Sequence, residues 1–312
     1  YSGSRGLGDV YKRQQLIPEL SYIDIKDGNK EALAELKNAL TEYGFFSITD
    51  HGLNPDLLAS SYTFSKKFFD LPVEEKSKYA FPQNAGARGY TPFGKETALG
   101  EVTPDQKEFW HHGPNIDKSF DSRIHTNIDV NEIAEFNKNF DELFVAINSL
   151  GINVLKIIAL LLNKEASFFE PWVVKGNSLL RLIHYPPVTS DSNNLRARAH
   201  EDINLITLLV GAEESGLEVK SKKGDWVPIK ASSNAIVCNI GDMMQLVTDG
   251  MLLSTTHRVI NYPGSKSRSR YSMPFFLHPA PNIMLKSIFN KDDKGILADD
   301  FLNERLKAIK LY

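Results

Sequence analysis

His200-Glu201-Asp202-Ile203-Asn204-Leu205-Ile206-Thr207-Leu208-Leu209-Val210 joins a polar pair to a run of aliphatic residues. Ile203 to Val210 predicts a β-strand, and it belongs to a series. Leu179 to Tyr185, Trp226 to Ile229, Ala235 to Asn239, Met243 to Thr248, His257 to Asn261 and Tyr271 to Leu277 are further short β-like runs. Turn residues separate them, among them Lys223-Gly224-Asp225, Ile240-Gly241-Asp242 and Asp249-Gly250. Many short strands with regular turns argue for a sandwich or barrel.

Upstream of Gly176 the periodicity is helical. Phe136, Phe140, Leu143, Ile147, Leu150, Val154, Ile158 and Leu161 recur at three and four, which predicts one long scaffold helix within Asn131 to Leu162. Leu33, Leu36 and Leu40 predict a helix over Lys30 to Tyr43, with Asp27, Gly28 and Asn29 as cap chemistry and Gly44 as its stop. Phe45 to Thr49 reads as a strand and Asp56 to Phe69 as a helix broken before Pro72. Tyr22-Ile23-Asp24-Ile25 alternates like a short strand. Asn84 to Trp110 is polar and weakly periodic, a long loop of the kind that carries function. The chain therefore reads as mainly β with helical support, an α-rich N-terminal region packed on a C-terminal β-core.

Composition narrows the partners. The 312 residues carry a formal net charge of −3 with no basic run, so neither nucleic acid nor a membrane surface is expected. Uninterrupted apolar runs are too short to span a bilayer, and a monomer acting on a small molecule is expected. The single cysteine, Cys238, lies in an apolar run and has no internal partner, so a reducing cytoplasm is its simplest home. Tyr1 to Gln14, YSGSRGLGDVYKRQ, lacks a signal-peptide pattern and apolar periodicity and is read as a non-native leader.

On extended backbone, residues two apart face the same way, so His200 and Asp202 can converge on one ion while Glu201 points elsewhere. Such a pair alone is common by chance in a chain with eight histidines. His257, at the start of another predicted strand, supplies a third donor. Two imidazoles and a carboxylate leave half an octahedron open, which suits iron(II) binding a co-substrate and O2 together; zinc more often takes a closed tetrahedron. Arg270 and Ser272 also share a strand face, and Met273 to Leu277 carry that strand into the core. An arginine entering a core needs an anion, and its fork with a nearby hydroxyl recognises a carboxylate. The pair His111-His112 is expected in a solvated loop rather than at a second metal, and His51 is expected to be structural.

These pieces, in this order, resemble the isopenicillin N synthase-like 2-oxoglutarate/iron oxygenases. The matching residues are Leu180-Arg181 to Tyr185-Pro186-Pro187, His200-x-Asp202 with Leu205-x-Thr207-Leu208-Leu209, Gly216-Leu217-x-Val219, Trp226-Val227-Pro228, Asn239-x-Gly241-Asp242, Gly250-x-x-x-Ser254-x-x-His257-Arg258-Val259 and Arg270-x-Ser272 with Phe275-Phe276. Ile17-Pro18, Gly44-Phe45-Phe46, His51-Gly52 and Arg88-Gly89-Tyr90 resemble the family's leader region. The resemblance implies a double-stranded β-helix, or jelly roll. It divides the chain into a leader region over 15–120, scaffold helices over 121–175, a catalytic jelly roll over 176–285 and a C-terminal segment over 286–312.

It implies iron(II) on His200, Asp202 and His257, and 2-oxoglutarate on Arg270, Ser272 and Tyr185. Ile183 stands where plant members commonly carry an asparagine, so no co-substrate contact is expected there. Arg88, Tyr90, Phe93 and Phe276 match positions near the prime substrate, with an anionic group of that substrate near Arg88. The implied reaction oxidises a small-molecule C–H bond with O2, by hydroxylation, desaturation or cyclisation, and releases succinate and CO2. Alternatives on the same scaffold are an iron oxidase that does not use 2-oxoglutarate, an ethylene-forming activity on 2-oxoglutarate, and an idle ligand sensor.

Overall fold

The computed structural model describes residues 17–81, 86–95, 105–117, 120–187, 195–211, 216–261 and 268–308. The expected leader, 1–14, lies outside them. The chain opens with β1 (Glu19–Ser21) and α1 (Tyr22–Lys26). The strand predicted at Tyr22 to Ile25 is thus a helical turn: Tyr22 and Ile25 are its buried residues, three apart, and Asp24 is the acidic residue of its first turn. α2 (Lys30–Glu42) starts where Asn29 accepts from the N–H groups of Glu31 and Ala32. It stops at Gly44, whose φ is +64° and where a Cβ would fall 1.8 Å from the Leu253 carbonyl oxygen. β2 (Phe45–Thr49), α3 (Pro55–Phe69) and α4 (Val73–Ser77) follow.

The predicted long loop contains two strands, β3 (Gly89–Thr91) and β4 (Glu108–His112). Their aromatic residues explain this: Phe109 and Trp110 are both fully buried, on opposite faces of β4. α5 (Phe136–Leu161) is the scaffold helix. Its most apolar 18 residues, with a mean hydropathy of 2.0, would suit a membrane span, yet its apolar stripe packs on the protein's own sheet. Gly151 allows the close approach, with Leu277 and Leu208 directly opposite.

After α6 (Glu170–Val173) come β5 (Leu179–Tyr185), β6 (Leu195–His200), β7 (Ile206–Val210), β8 (Leu217–Lys220), β9 (Trp226–Pro228) and β10 (Ile236–Ile240). The strand predicted at Met243 to Thr248 is instead α7 (Asp242–Val247). Met243, Met244 and Val247 are buried at helical spacing, and Gly241 and Asp242 open the turn. The chain closes with β11 (His257–Ile260), β12 (Arg270–Leu277), β13 (Met284–Leu285), β14 (Ile296–Leu297) and α8 (Ala298–Ala308).

An eight-stranded sheet runs β1-β2-β10-β7-β12-β5-β4-β3 and faces a four-stranded sheet, β6-β11-β8-β9. This is the jelly-roll core, and four strands of its larger sheet come from the N-terminal region. Two apolar layers result. The inner layer lies between the sheets and includes Phe45, Phe109, Ile183, Tyr185, Val219, Val237 and Val259. The outer layer joins the back of the large sheet to α2, α3 and α5 and includes Phe68, Trp110, Phe136, Phe140, Leu182 and Phe275. Each fully buried side chain of this size contributes roughly 1.5–3 kcal/mol.

Candidate metal centre

β6 and β11 pair with His257 opposite His200. Asp202 follows β6 directly, so the pairing that closes the small sheet gathers the three residues. Their ligand atoms all lie within 4.8 Å of one another. The imidazole ring centroids are 4.4 Å apart, and His257 Nε2 lies 3.8 Å from Asp202 Oδ1.

Each donor is oriented from behind. His200 Nδ1 donates to the Arg198 carbonyl at 2.7 Å, and His257 Nδ1 to the Thr255 carbonyl at 3.1 Å. Carbonyls only accept, so both histidines carry a proton on Nδ1, which leaves Nε2 of each ring as the atom for an ion. Asp202 Oδ2 accepts from Thr207 Oγ1 at 2.6 Å and Asn239 Nδ2 at 2.8 Å, which leaves Oδ1. Burial pushes His200 down to about 4, with His257 adding to the effect, so its imidazole is neutral at physiological pH. Burial would raise Asp202, but His257, His200, Asn239 and Thr207 outweigh it and hold the carboxyl below the usual range. Two imidazoles and one ionised carboxylate, each offering one donor atom, fit iron(II).

β12 brings the second group. Arg270, Ser272 and Phe276 alternate on its inner face, while Met273, Phe275 and Leu277 belong to the outer layer. Arg270 pairs with Tyr185 in register, its guanidinium carbon 5.4 Å from the tyrosine ring centroid, and Ser272 pairs with Ile183. Arg270 and Ser272 are each 2% exposed.

Not every expected pocket residue joins them. Tyr90 lies in the outer layer, its ring 5.9 Å from Phe68 and its hydroxyl donating to Glu108. Phe93 is exposed and near His184, which also faces outward beside Phe69. Strand alternation turns Tyr90 to the side of the large sheet away from the triad, and Phe93, beyond the end of β3, lies against His184 on that same side. Arg88 is buried beside Asn177, which accepts from it at 3.3 Å. The histidine pair expected in a solvated loop lies on β4, buried. His112 bonds Asp141 at 2.8 Å, and His111 accepts from Arg181 at 2.7 Å while donating to Gly86. His51 pins a loop through the Asn234 carbonyl and the Leu53 N–H.

Several residues around the centre have no role in the sequence reading. Thr207 and Asn239 are polar positions inside apolar strands, and a buried polar group implies a partner. That signal is present in the sequence. Arg181 lies 4.3 Å from the Phe109 ring centroid and 5.4 Å from that of Phe276. His278, two residues beyond Phe276, is also buried.

Comparison with known proteins agrees with this geometry. The 2OG-Fe(II) oxygenase superfamily matches residues 176–279, and the non-haem dioxygenase N-terminal region, named for morphine synthesis, matches 19–132. A 2-oxoglutarate-dependent dioxygenase of Didymella fabae is 35% identical over 266 residues, 80% of this chain and 79% of its own. A Caulobacter crescentus structure described as 2OG-Fe(II) oxygenase family superposes with a TM-score of 0.87 at 40% identity, covering 94% of this chain and 99% of that one. A full-length Neurospora crassa protein, solved in complex with α-ketoglutarate and thymine, gives a TM-score of 0.82 at 26% identity over 94% and 96% of the two chains. With a donor set suited to iron(II) and this identity over most of both chains, the protein belongs to the 2OG-Fe(II) oxygenase superfamily and is a 2-oxoglutarate-dependent dioxygenase using Fe(II), 2-oxoglutarate and O2.

Proposed function

We propose that His200, Asp202 and His257 hold the iron, that Arg270 and Ser272 bind the distal carboxylate of 2-oxoglutarate while Tyr185 helps to hold the co-substrate, and that a small-molecule C–H bond is oxidised beside them. The observation that carries this reading is the convergence of the three ligand atoms within 4.8 Å, each fixed by a partner behind it. When bound, iron couples oxidative decarboxylation of 2-oxoglutarate by O2 to oxidation of the substrate. The chain supplies orientation, charge and dryness. The Arg198 and Thr255 carbonyls keep the imidazoles in the ligating tautomer. Thr207 and Asn239 hold one oxygen of Asp202 and so direct the other. Arg270, buried at the start of β12, offers a guanidinium fork, and the neighbouring Ser272 hydroxyl adds a donor. Phe109 and Phe276 flank Arg181 and keep apolar surface near the reacting side.

The reading extends to a cytoplasmic monomer without nucleic-acid or membrane partners. The net charge of −3 and the single buried thiol of Cys238 support it. The main test follows O2 uptake and succinate release with and without 2-oxoglutarate. Both are expected to require it. Arg270→Leu should weaken 2-oxoglutarate binding by about 2–5 kcal/mol while iron still binds, and Arg270→Lys should recover only part. Oxygen uptake indifferent to 2-oxoglutarate would replace this reading with an iron oxidase of the same fold.

A further inference from the structure

The register of β6 slips just ahead of the metal centre. His257 pairs with His200, but Val259 pairs with Ala197, so Arg198 and Ala199 together face Arg258. An extra residue of this kind is a β-bulge, which disrupts the ladder locally and bends the strand. At the bulge the Arg198 carbonyl accepts the Nδ1 proton of His200 at 2.7 Å. The direction of the ring, and with it that of Nε2, therefore depends on where the Arg198 backbone stands.

The two ligand histidines differ in how firmly that backbone is held. His257 belongs to β11, which is paired on both sides, with β6 and with β8. His200 ends β6, the edge strand of the small sheet, which has β11 on one side only. A bulged edge strand has the weaker hold on its own geometry. Support for His200 has to come from outside the small sheet.

A carboxylate three residues ahead of β4 supplies it. Asp105 Oδ1 accepts from the Arg198 N–H at 3.3 Å and lies 3.9 Å from Arg198 Nε. Its Oδ2 accepts from Lys107 Nζ at 2.9 Å. The Asp105 and Lys107 side chains are only 4% and 7% exposed, so the carboxylate and the ammonium are buried as a pair. Burial and His257 push His200 down, and Lys107 adds to this, so the pair stands near the triad. Asp105 thus ties the approach to β4, in the large sheet, to the bulge on the edge of the small one. One residue, Arg198, is gripped by Asp105 at its N–H and grips His200 with its carbonyl.

We propose that Asp105 is a positioning residue of the metal centre, which fixes the bulged Arg198 backbone and through it aims the His200 imidazole. The proposal rests on the assignment of His200 as an iron ligand. The Arg198 N–H is a neutral donor, so Asp105 acts here through an acceptor oxygen that asparagine also possesses. Its negative charge serves the separate purpose of answering Lys107.

The test uses the full chain loaded with Co(II) in place of iron. In the wild type the Nδ1 protons of the two ligand histidines are expected as two exchangeable, paramagnetically shifted NMR signals. Their absence would overturn the metal centre itself and the inference resting on it. Asp105→Ala should speed solvent exchange of one signal, that of His200, and leave the other, held by Thr255, as it is. Co(II) affinity, read by chelator competition, should fall about tenfold. Asp105→Asn should recover most of both. Asp105→Ala also leaves Lys107 buried without its anion, a loss of stability separate from the aim of His200. The double variant Asp105→Ala/Lys107→Met removes that charge. It should regain unfolding stability while its Co(II) affinity stays as low as that of Asp105→Ala, and it covers failure of the single variant to fold. Three results overturn the proposal while leaving the metal centre intact: affinity returns with stability in the double variant, Asp105→Asn loses as much as Asp105→Ala, or the two N–H signals respond alike.

Discussion

Two buried polar clusters lie on opposite sides of the large sheet, one on its outer face and the other across the core on the small sheet, built from similar residues with opposite outcomes. On the outer face Glu108 accepts from Lys76 at 2.8 and 3.0 Å, from His184 at 2.7 Å and from Tyr90. Lys76 also donates to the Phe69 carbonyl, and His184 reaches Ser269. Every charge there is answered by another side chain or by backbone, so the cluster is a rivet between α4, β3, β4 and β5. On the inner face each residue of the triad is held through one atom and offers another. A histidine or a carboxylate is therefore no sign of a site in itself. The sign is a donor atom that the fold orients but does not use.

The comparison breaks most sharply at the triad. His200→Ala or His257→Ala should cost at least roughly 100-fold in iron affinity, more than loss of a supporting partner does, and turnover should vanish with the iron. Iron content after gel filtration and succinate release measure both. Wild-type iron content in either variant would remove that histidine from the metal centre.

The converse experiment is Lys76→Met on the outer face. It leaves the Glu108 carboxylate buried without its cation and should cost about 3–5 kcal/mol in unfolding free energy. Iron content of the folded fraction should stay unchanged. Loss of iron at unchanged stability would show that the two faces are coupled and that the outer cluster is more than a rivet.

A smaller effect sharpens the inner half. Asn239→Ala removes one of two donors to Asp202 Oδ2 and leaves Thr207. Iron affinity should fall roughly 10–100-fold, read by chelator competition. No change would mean that Thr207 alone fixes the carboxylate.

The two faces are not equally legible in the sequence. The triad shows because His200-x-Asp202 stands just ahead of the apolar run Ile203 to Val210 and His257 heads another, and β5 and β12 can be read almost to the residue because their hydrophobicity is strong. β6 escapes such a reading, since Leu195-Arg196-Ala197-Arg198-Ala199-His200 buries too few apolar side chains to look like a strand. α1 and α7 read as strands because four to six residues do not separate a period of 2 from one of 3.6. Tyr90 and Phe93 show a further gap. Alternation sorts residues into two faces, but only the packing of α3 and α5 decides which face turns away from the metal.

The weakest expected effect concerns acid. Burial would raise the Glu108 carboxyl, but His184, Lys76 and Tyr90 outweigh it, and the group titrates below its ordinary 4.5. A carboxyl depressed in the folded state contributes stability above its unfolded pKa and loses it as pH falls through the folded one. The expected comparison is therefore between wild type and Glu108→Gln, by urea unfolding from pH 6 to pH 3. The variant should be less stable at pH 6, and the gap should narrow below pH 4.5, by about 1.4 kcal/mol for each unit by which folding depresses the group. Carboxylates elsewhere titrate in both proteins and cancel in the difference. A gap that stays constant across this range would mean that Glu108 gains nothing from its three donors beyond what burial takes away. The outer cluster would then fill space without riveting the sheet, and its contrast with the triad would rest on geometry alone.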